Sequence, residues 1–307
     1  MVDLKVDLGG LAMRTPVTTA SGTFGYGTEY ADMLDYGKLG AATVKGIRSE
    51  AWDGNELPRH VEVFGGLVNA IGLQGPGVEM FVKAYVPMYL RKLGEGAPPL
   101  IVNIWGGTAE GYAEVAARLD GVAAVGALEL NVSCPNVKEG GHTFGQDPKV
   151  LGALVERVRK ATKKPLIVKL APNVPDFAPY VKACEDGGAD ALSLINTIPA
   201  MVIDIEKRRP VLANGSGGLS GRAVHPVAVK CVWEVHKLTR LPILAIGGIY
   251  EANDAIELML AGATAVAVGT ATFTDPATAA RVCDGIEAYC ERHGFKAASE
   301  ITGNMEI

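Results

Sequence analysis

The sequence predicts an α/β fold, a (β/α)8 TIM barrel with long inserted loops after strands two and six. Three observations carry that prediction. Eight short, apolar, β-branched runs recur along the chain. Amphipathic helical stretches fall between them. The length, 307 residues, lies within the roughly 200–400 residues of a single barrel of this kind. Residues 1–307 are therefore expected to form one domain, with no short-period repeat.

The strand candidates are residues 15–20, 41–45, 100–104, 127–131, 166–170, 191–195, 243–246 and 265–268. They are near-continuously apolar, as strands covered on both faces should be. A helix predicted over 147–162 opens with Asp147 at the N-cap and Pro148 at the first helical position. Its residues Val150, Leu151, Leu154, Val155 and Val158 make one apolar stripe. The stretch 108–119 repeats the pattern with Tyr112, Val115, Ala116 and Leu119. Helices over 251–261 and 276–292 complete the predicted set. An open doubly wound sheet is disfavoured, because no GxGxxG follows the first strand. The connections 46–75 and 196–221 are too long for ordinary strand-to-helix loops. Both leave the C-terminal end of a strand, where barrel active sites are built.

The net charge is −5 and no long block of Lys or Arg occurs. That argues against nucleic acid or an anionic membrane as partner. The apolar runs, about 5–8 residues each, are too short to cross a bilayer. The opening Met-Val-Asp-Leu-Lys-Val-Asp-Leu lacks the apolar core of a signal peptide. The five cysteines are odd in number and without a CxxC. A reduced cytoplasm and no metal site are expected.

Strand seven ends in Ala-Ile-Gly-Gly-Ile and strand eight in Ala-Val-Gly-Thr-Ala. Each glycine pair alone could be a tight turn. Together, at the two successive strands where barrels hold phosphates, Gly247, Gly248, Gly269 and Thr270 favour a phosphorylated ligand. The cluster Gly-Ser-Gly-Gly-Leu-Ser-Gly, ending at Gly221, could supply a third wall.

Polar residues mark the other strand ends: Lys45, Asn103, Asn131, Lys169, Asn196 and Thr197, with Asn69 in the first long loop. One Asn can cap a turn and one Lys can snorkel. Six such residues at five strand ends, converging on one mouth, suit a flat, multiply hydrogen-bonding substrate, and two lysines suit an anion or a reduced ring. Cys184, Cys231, Cys283 and Cys290 sit in helical stripes and read as small core residues. Cys134 differs. It follows a strand end, precedes Pro135 and is flanked by Asn131, Ser133 and Asn136. A thiol there could act as a base once deprotonated.

Several motifs together resemble the class 1 dihydroorotate dehydrogenases, most closely type B. They are Ala-Ser-Gly-Thr-Phe-Gly-Tyr-Gly (20–27), Asn-Ala-Ile-Gly-Leu-Gln (69–74), Glu-Leu-Asn-Val-Ser-Cys-Pro-Asn-Val (129–137), Ile-Val-Lys-Leu (167–170), Ile-Asn-Thr (195–197) and the glycine motifs above. The resemblance implies oxidation of dihydroorotate to orotate in pyrimidine biosynthesis. It implies Cys134 as the base at substrate C5, with hydride passing from C6 to the N5 of FMN. It implies that Lys45, Asn69, Ala70, Ile71, Gly72, Leu73, Asn131, Asn136, Asn196 and Thr197 hold the substrate. It implies that Ser21, Lys45, Gly46, Asn103, Asn131, Lys169, Ile195, Gly221, Gly247, Gly248, Gly269 and Thr270 hold FMN, with Lys169 near N1.

Type B likeness further implies electrons passed to NAD through a partner subunit carrying FAD and a [2Fe-2S] cluster, in a heterotetramer built on a homodimer. A type A enzyme using fumarate and a dihydropyrimidine dehydrogenase-like reductase are the neighbouring alternatives. A dihydrouridine synthase is disfavoured by the acidic balance, and a non-catalytic scaffold would take up no FMN. The chain departs from the family pattern at Gly46, where Thr or Ser is common, at Gly75, and at Ile198-Pro199-Ala200.

Overall fold

The computed structural model describes residues 2–132 and 144–306. Eight parallel strands form the central sheet: Val17–Thr19, Ala42–Ile47, Leu100–Ile104, Val125–Asn131, Leu166–Lys169, Ala191–Leu194, Ile243–Ile246 and Ala265–Val268. We number them one to eight. Strand one pairs with strand eight, and pairing then runs back in unbroken sequence order from eight to two. Between strands one and two the closure is made by side chains. Thr43 N donates to Thr19 Oγ1 at 3.0 Å, and Thr19 Oγ1 donates to Thr43 O at 3.0 Å. The Thr18 and Thr43 hydroxyls also meet at 3.0 Å. The eight predicted strands are thus all present, and the sheet is a barrel.

Helices follow the strands as the periodicity predicts. Asp147 caps Pro148–Arg159, its side chain accepting from Lys149 N. This helix buries Leu151, Leu154, Val155 and Val158, each worth about 1.5–3 kcal/mol relative to exposure. Thr108 caps Ala109–Asp120 through Gly111 N. Ala252–Leu260 and Thr278–His293 lie within two residues of their predicted bounds. Ala178–Asp186, His225–His236 and the consecutive segments Val78–Met80, Phe81–Tyr85 and Val86–Leu93 extend the outer ring. After strand one only the short turn Tyr36–Lys38 takes a helical place. Among the described residues, no helix is long and apolar enough to cross a membrane.

The core has two parts. Residues facing outward from the strands pack against the helices. Inside the barrel lies a smaller cluster with Ala41, Ile101, Ala127, Ile167, Ala191, Leu244 and Ala265. The hairpin Val6–Leu8 with Leu11–Met13 joins this cluster and closes the N-terminal end. The mouth lies at the other end, at the C-terminal ends of the strands.

The two long connections do not remain separate loops. His60–Val63 and Gly66–Asn69 from the first pair with Gly217–Ser220 and Ile198–Ala200 from the second, in one antiparallel sheet. Asn69 lies opposite Gly218 in that register.

Candidate active site

Side chains alternate across a strand, so each inward residue repeats every second position. Reading inward from the apolar floor, Ala41 leads to Thr43 and Lys45. Ile101 leads to Asn103, Ala127 to Glu129 and Asn131, Ile167 to Lys169, and Ala191 to Ser193. The barrel interior therefore changes from apolar to polar toward the C-terminal ends of strands two to six.

At that level the side chains are tied together. Asn103 Nδ2 donates to Glu129 Oε1 at 2.6 Å, and Ser193 Oγ donates to Glu129 Oε2 at 2.9 Å. Lys169 Nζ stands 3.9 Å from Glu129 Oε1. One layer higher, Asn196 Nδ2 donates to Asn131 Oδ1 at 3.3 Å, and Thr197 N donates to Asn196 Oδ1 at 2.8 Å. The Tyr112 hydroxyl holds the Asn131 carbonyl at 2.6 Å. Asn69 Nδ2 donates to Gly218 O at 3.3 Å. This brings the first long connection onto the second.

Segment 69–73 is braced from outside. Asn55 Nδ2 donates to Ala70 O at 2.9 Å, Asn55 N to Ile71 O at 3.0 Å and Trp52 Nε1 to Gly72 O at 2.9 Å. Gly72 and Leu73 both have positive φ, +79° and +57°. Lys45 is half-buried without a carboxylate partner among the described residues. Desolvation pushes its ammonium below the ordinary lysine range, the nearby Arg59 charge adds to this, and Glu29 opposes it. A desolvated cation of this kind gains much from a carboxylate ligand.

The glycine end lies on strands six to eight. Thr270 Oγ1 donates to Ser220 Oγ at 2.8 Å, tying strand eight to the Gly217–Ser220 strand. Gly221, Gly247 and Gly248 have φ of +104°, +146° and +68°. The backbone N–H groups of Gly247, Gly248 and Thr270 have no acceptor among the described residues. Such convergent donors suit a phosphate. Ser21 is buried just past strand one, and Ile195 just past strand six donates its N–H to Ile246 O at 2.9 Å.

Gly46 lies between Lys45 and Asn103. A Cβ there would stand 3.0 Å from Asn103 Oδ1 and 3.2 Å from Trp105 Cδ1. Beside it, Trp105 Nε1 and Arg48 Nε are buried donors without partners among the described residues. Arg48 lies between the rings of Trp52 and Trp105, about 5 Å from each. Orphaned donors, two lysines and amides at one mouth fit a planar, acceptor-rich ring that carries a phosphate tail.

The catalytic candidate Cys134, with Ser133 and Asn136, lies outside the described residues. The other cysteines are buried, and burial pushes the thiol of Cys184 up to about 12 and those of Cys231 and Cys283 to about 11. They stay as neutral thiols in the helix packing. Glu129, Ser193, Tyr112, Trp105 and Arg48 are site residues that the sequence reading did not assign. For Glu129 a signal existed: a charged side chain two residues before Asn131 in an otherwise apolar run.

Fold and site together define a (β/α)8 barrel whose polar, glycine-rich mouth has the chemistry to take a phosphorylated ring. Residues 3–290 match the family model of dihydroorotate dehydrogenase, and the chain belongs to that family. It is 52% identical over 305 residues to a protein of Geobacter sp. (strain M21), covering 99% of each chain. The same identity and coverage hold for a protein of Citrifermentans bemidjiense. A protein of Pelobacter propionicus is 51% identical over 304 residues, again 99% of each chain. All three are named dihydroorotate dehydrogenase B (NAD(+)), catalytic subunit.

Proposed function

We propose that this chain is the catalytic subunit of an NAD-linked dihydroorotate dehydrogenase, oxidising dihydroorotate to orotate in pyrimidine biosynthesis. The observation that carries this reading is the end-to-end likeness, about half identity across 99% of both chains, to proteins that bear that name. The polar mouth supports it independently.

The cofactor of this reading is FMN, one per chain, which would supply the hydride acceptor for substrate C6. The Gly247, Gly248 and Thr270 backbone donors, with Gly221 and Gly269, would hold its phosphate. Ser21, Lys45, Gly46, Asn103, Asn131, Lys169 and Ile195 would surround its ring, and the Lys169 ammonium would offset the negative charge of the reduced form. Cys134, as thiolate, removes the proton from substrate C5. Lys45 binds the substrate carboxylate. Its incomplete solvation favours that pairing, because no water shell must be stripped first. Asn69, Asn131, Asn136, Asn196 and Thr197 hydrogen-bond the flat ring, and the braced segment Ala70, Ile71, Gly72 and Leu73 covers it. All of this sits in one domain, residues 1–307.

The electrons go to NAD through a partner subunit carrying FAD and a [2Fe-2S] cluster, in a cytoplasmic heterotetramer built on a homodimer of this chain. Co-expression with such a partner should give a complex that reduces NAD with dihydroorotate. Turnover with fumarate by the chain alone, and none with NAD in the complex, would replace this reading with the type A one. A purified chain that stays colourless with added FMN would remove the flavin reading altogether.

A further inference from the structure

Two charged side chains are buried among the described residues, Glu129 and Lys169, and they face one another inside the barrel. A buried carboxylate is costly unless donors and an opposite charge surround it. An apolar residue would fill the same space with less penalty. Glu129 has all its partners. Its two oxygens accept from Asn103 on strand three and Ser193 on strand six, and the Lys169 ammonium on strand five lies 3.9 Å away. One side chain on strand four thus ties together four strands at the level of the mouth.

Two consequences follow for the groups above. First, the Asn103 amide is held in one orientation. Its Nδ2 is committed to Glu129, and Oδ1 is turned toward Gly46. An acceptor, not a donor, is presented there. Second, 3.9 Å is too long for a hydrogen bond. Glu129 attracts the Lys169 ammonium without taking up its N–H groups, which remain for a ligand above.

We propose that Glu129 is a positioning residue for the cofactor site. It orients Asn103, holds Lys169 in place, and its negative charge offsets part of the lysine field felt by the flavin, keeping the flavin's reduction potential down. This rests on the FMN reading of the site.

The test is a potentiometric titration of bound flavin in wild type, Glu129→Gln and Lys169→Met, with FMN affinity measured on each apo chain. Reduced flavin is the more negative form. Glu129→Gln keeps shape and removes a negative charge, so the reduced form should gain affinity over the oxidised form by on the order of tenfold. That ratio reads as an upward shift of about 30 mV in a two-electron potential. Lys169→Met should shift it downward. Opposite signs from two near-isosteric variants are not expected of residues that merely pack. A Glu129→Gln potential that is unchanged or lower, with FMN retained, overturns the proposal. Should that variant not fold, Ser193→Ala carries the test. It strips one donor from the carboxylate and should lower the potential, and an unchanged value overturns the proposal. Failure of the FMN reading itself shows separately, as a wild-type chain that takes up no FMN.

Discussion

Gly247, Gly248 and Gly269 look alike in sequence, but the structure separates them by what demands the glycine. Gly248 has φ +68°, and a Cβ there would stand 2.6 Å from His225 Cβ. Gly247 has φ +146° and would meet Ala228 Cβ at 2.7 Å. The fold itself excludes side chains at both. Gly269 has no left-handed φ, and its Cβ would meet only Ala20 Cβ at 3.4 Å, an ordinary contact. The chain has room for alanine at 269, so a glycine there points to a ligand passing close to the backbone.

Gly269→Ala should therefore leave the urea stability of the apo chain within about 0.5 kcal/mol, as benign substitutions do. A small gain is equally consistent, because alanine restricts the unfolded chain. Against a bound phosphate tail, the same methyl is an overpacked group costing about 1–3 kcal/mol. That corresponds to about five- to 150-fold weaker FMN binding. The assay is FMN titration of apo chain followed by flavin fluorescence, beside urea denaturation of the same sample. Unchanged FMN affinity would refute the ligand argument, and a stability loss above about 1.5 kcal/mol would refute the claim that the fold tolerates the methyl.

Gly248→Ala should destabilise the apo chain by about 2–5 kcal/mol, combining left-handed strain with overpacking; urea denaturation showing under about 1 kcal/mol would contradict this. Cys134→Ser should lose most activity at neutral pH, because a hydroxyl is far harder to deprotonate than a thiol. Unchanged turnover in that variant removes Cys134 from the mechanism. Lys45→Ala should raise the dihydroorotate KM, and an unaltered KM means that Lys45 does not hold the carboxylate. Because burial lowers the Lys45 pKa, wild-type KM should climb with pH in a window that opens below the ordinary lysine value of about 10.4, while the Lys45→Ala profile stays flat there. The sign for stability is opposite. The folded state holds this proton more weakly than the unfolded one, so the Lys45 penalty is present below the lowered pKa and is relieved between it and the ordinary value.

The barrel strands were legible because a strand covered on both faces must be apolar throughout, and loops between such strands are not. Boundaries shifted for local reasons. Strand one begins at Val17 rather than 15, and Pro16 before it has no N–H to offer a ladder. The four-stranded sheet over the mouth was not legible. Its central pairing joins Asn69 to Gly218, and no local pattern in either connection announces a partner so far along the chain. The convergence of Asn131, Asn196 and Thr197 was readable as strand-end chemistry. The hydrogen bonds that order them were not.

Glu129 and Gly46 show where residue-by-residue reading stops. A near-continuous apolar run says that a strand is covered on both faces, but not which residues face the barrel axis. Glu129 stood in plain view in such a run, and only closure of the barrel makes its position interior and its partners Asn103, Lys169 and Ser193. Gly46 looked like a lost side chain. In the fold the space beside it is taken from the neighbouring strand's end, where the Trp105 ring would lie 3.2 Å from a Cβ at 46. The volume missing at one position in sequence is supplied by another side chain in space. The indole brings a buried N–H without a partner among the described residues, so a donor stands at the mouth although residue 46 has none to give.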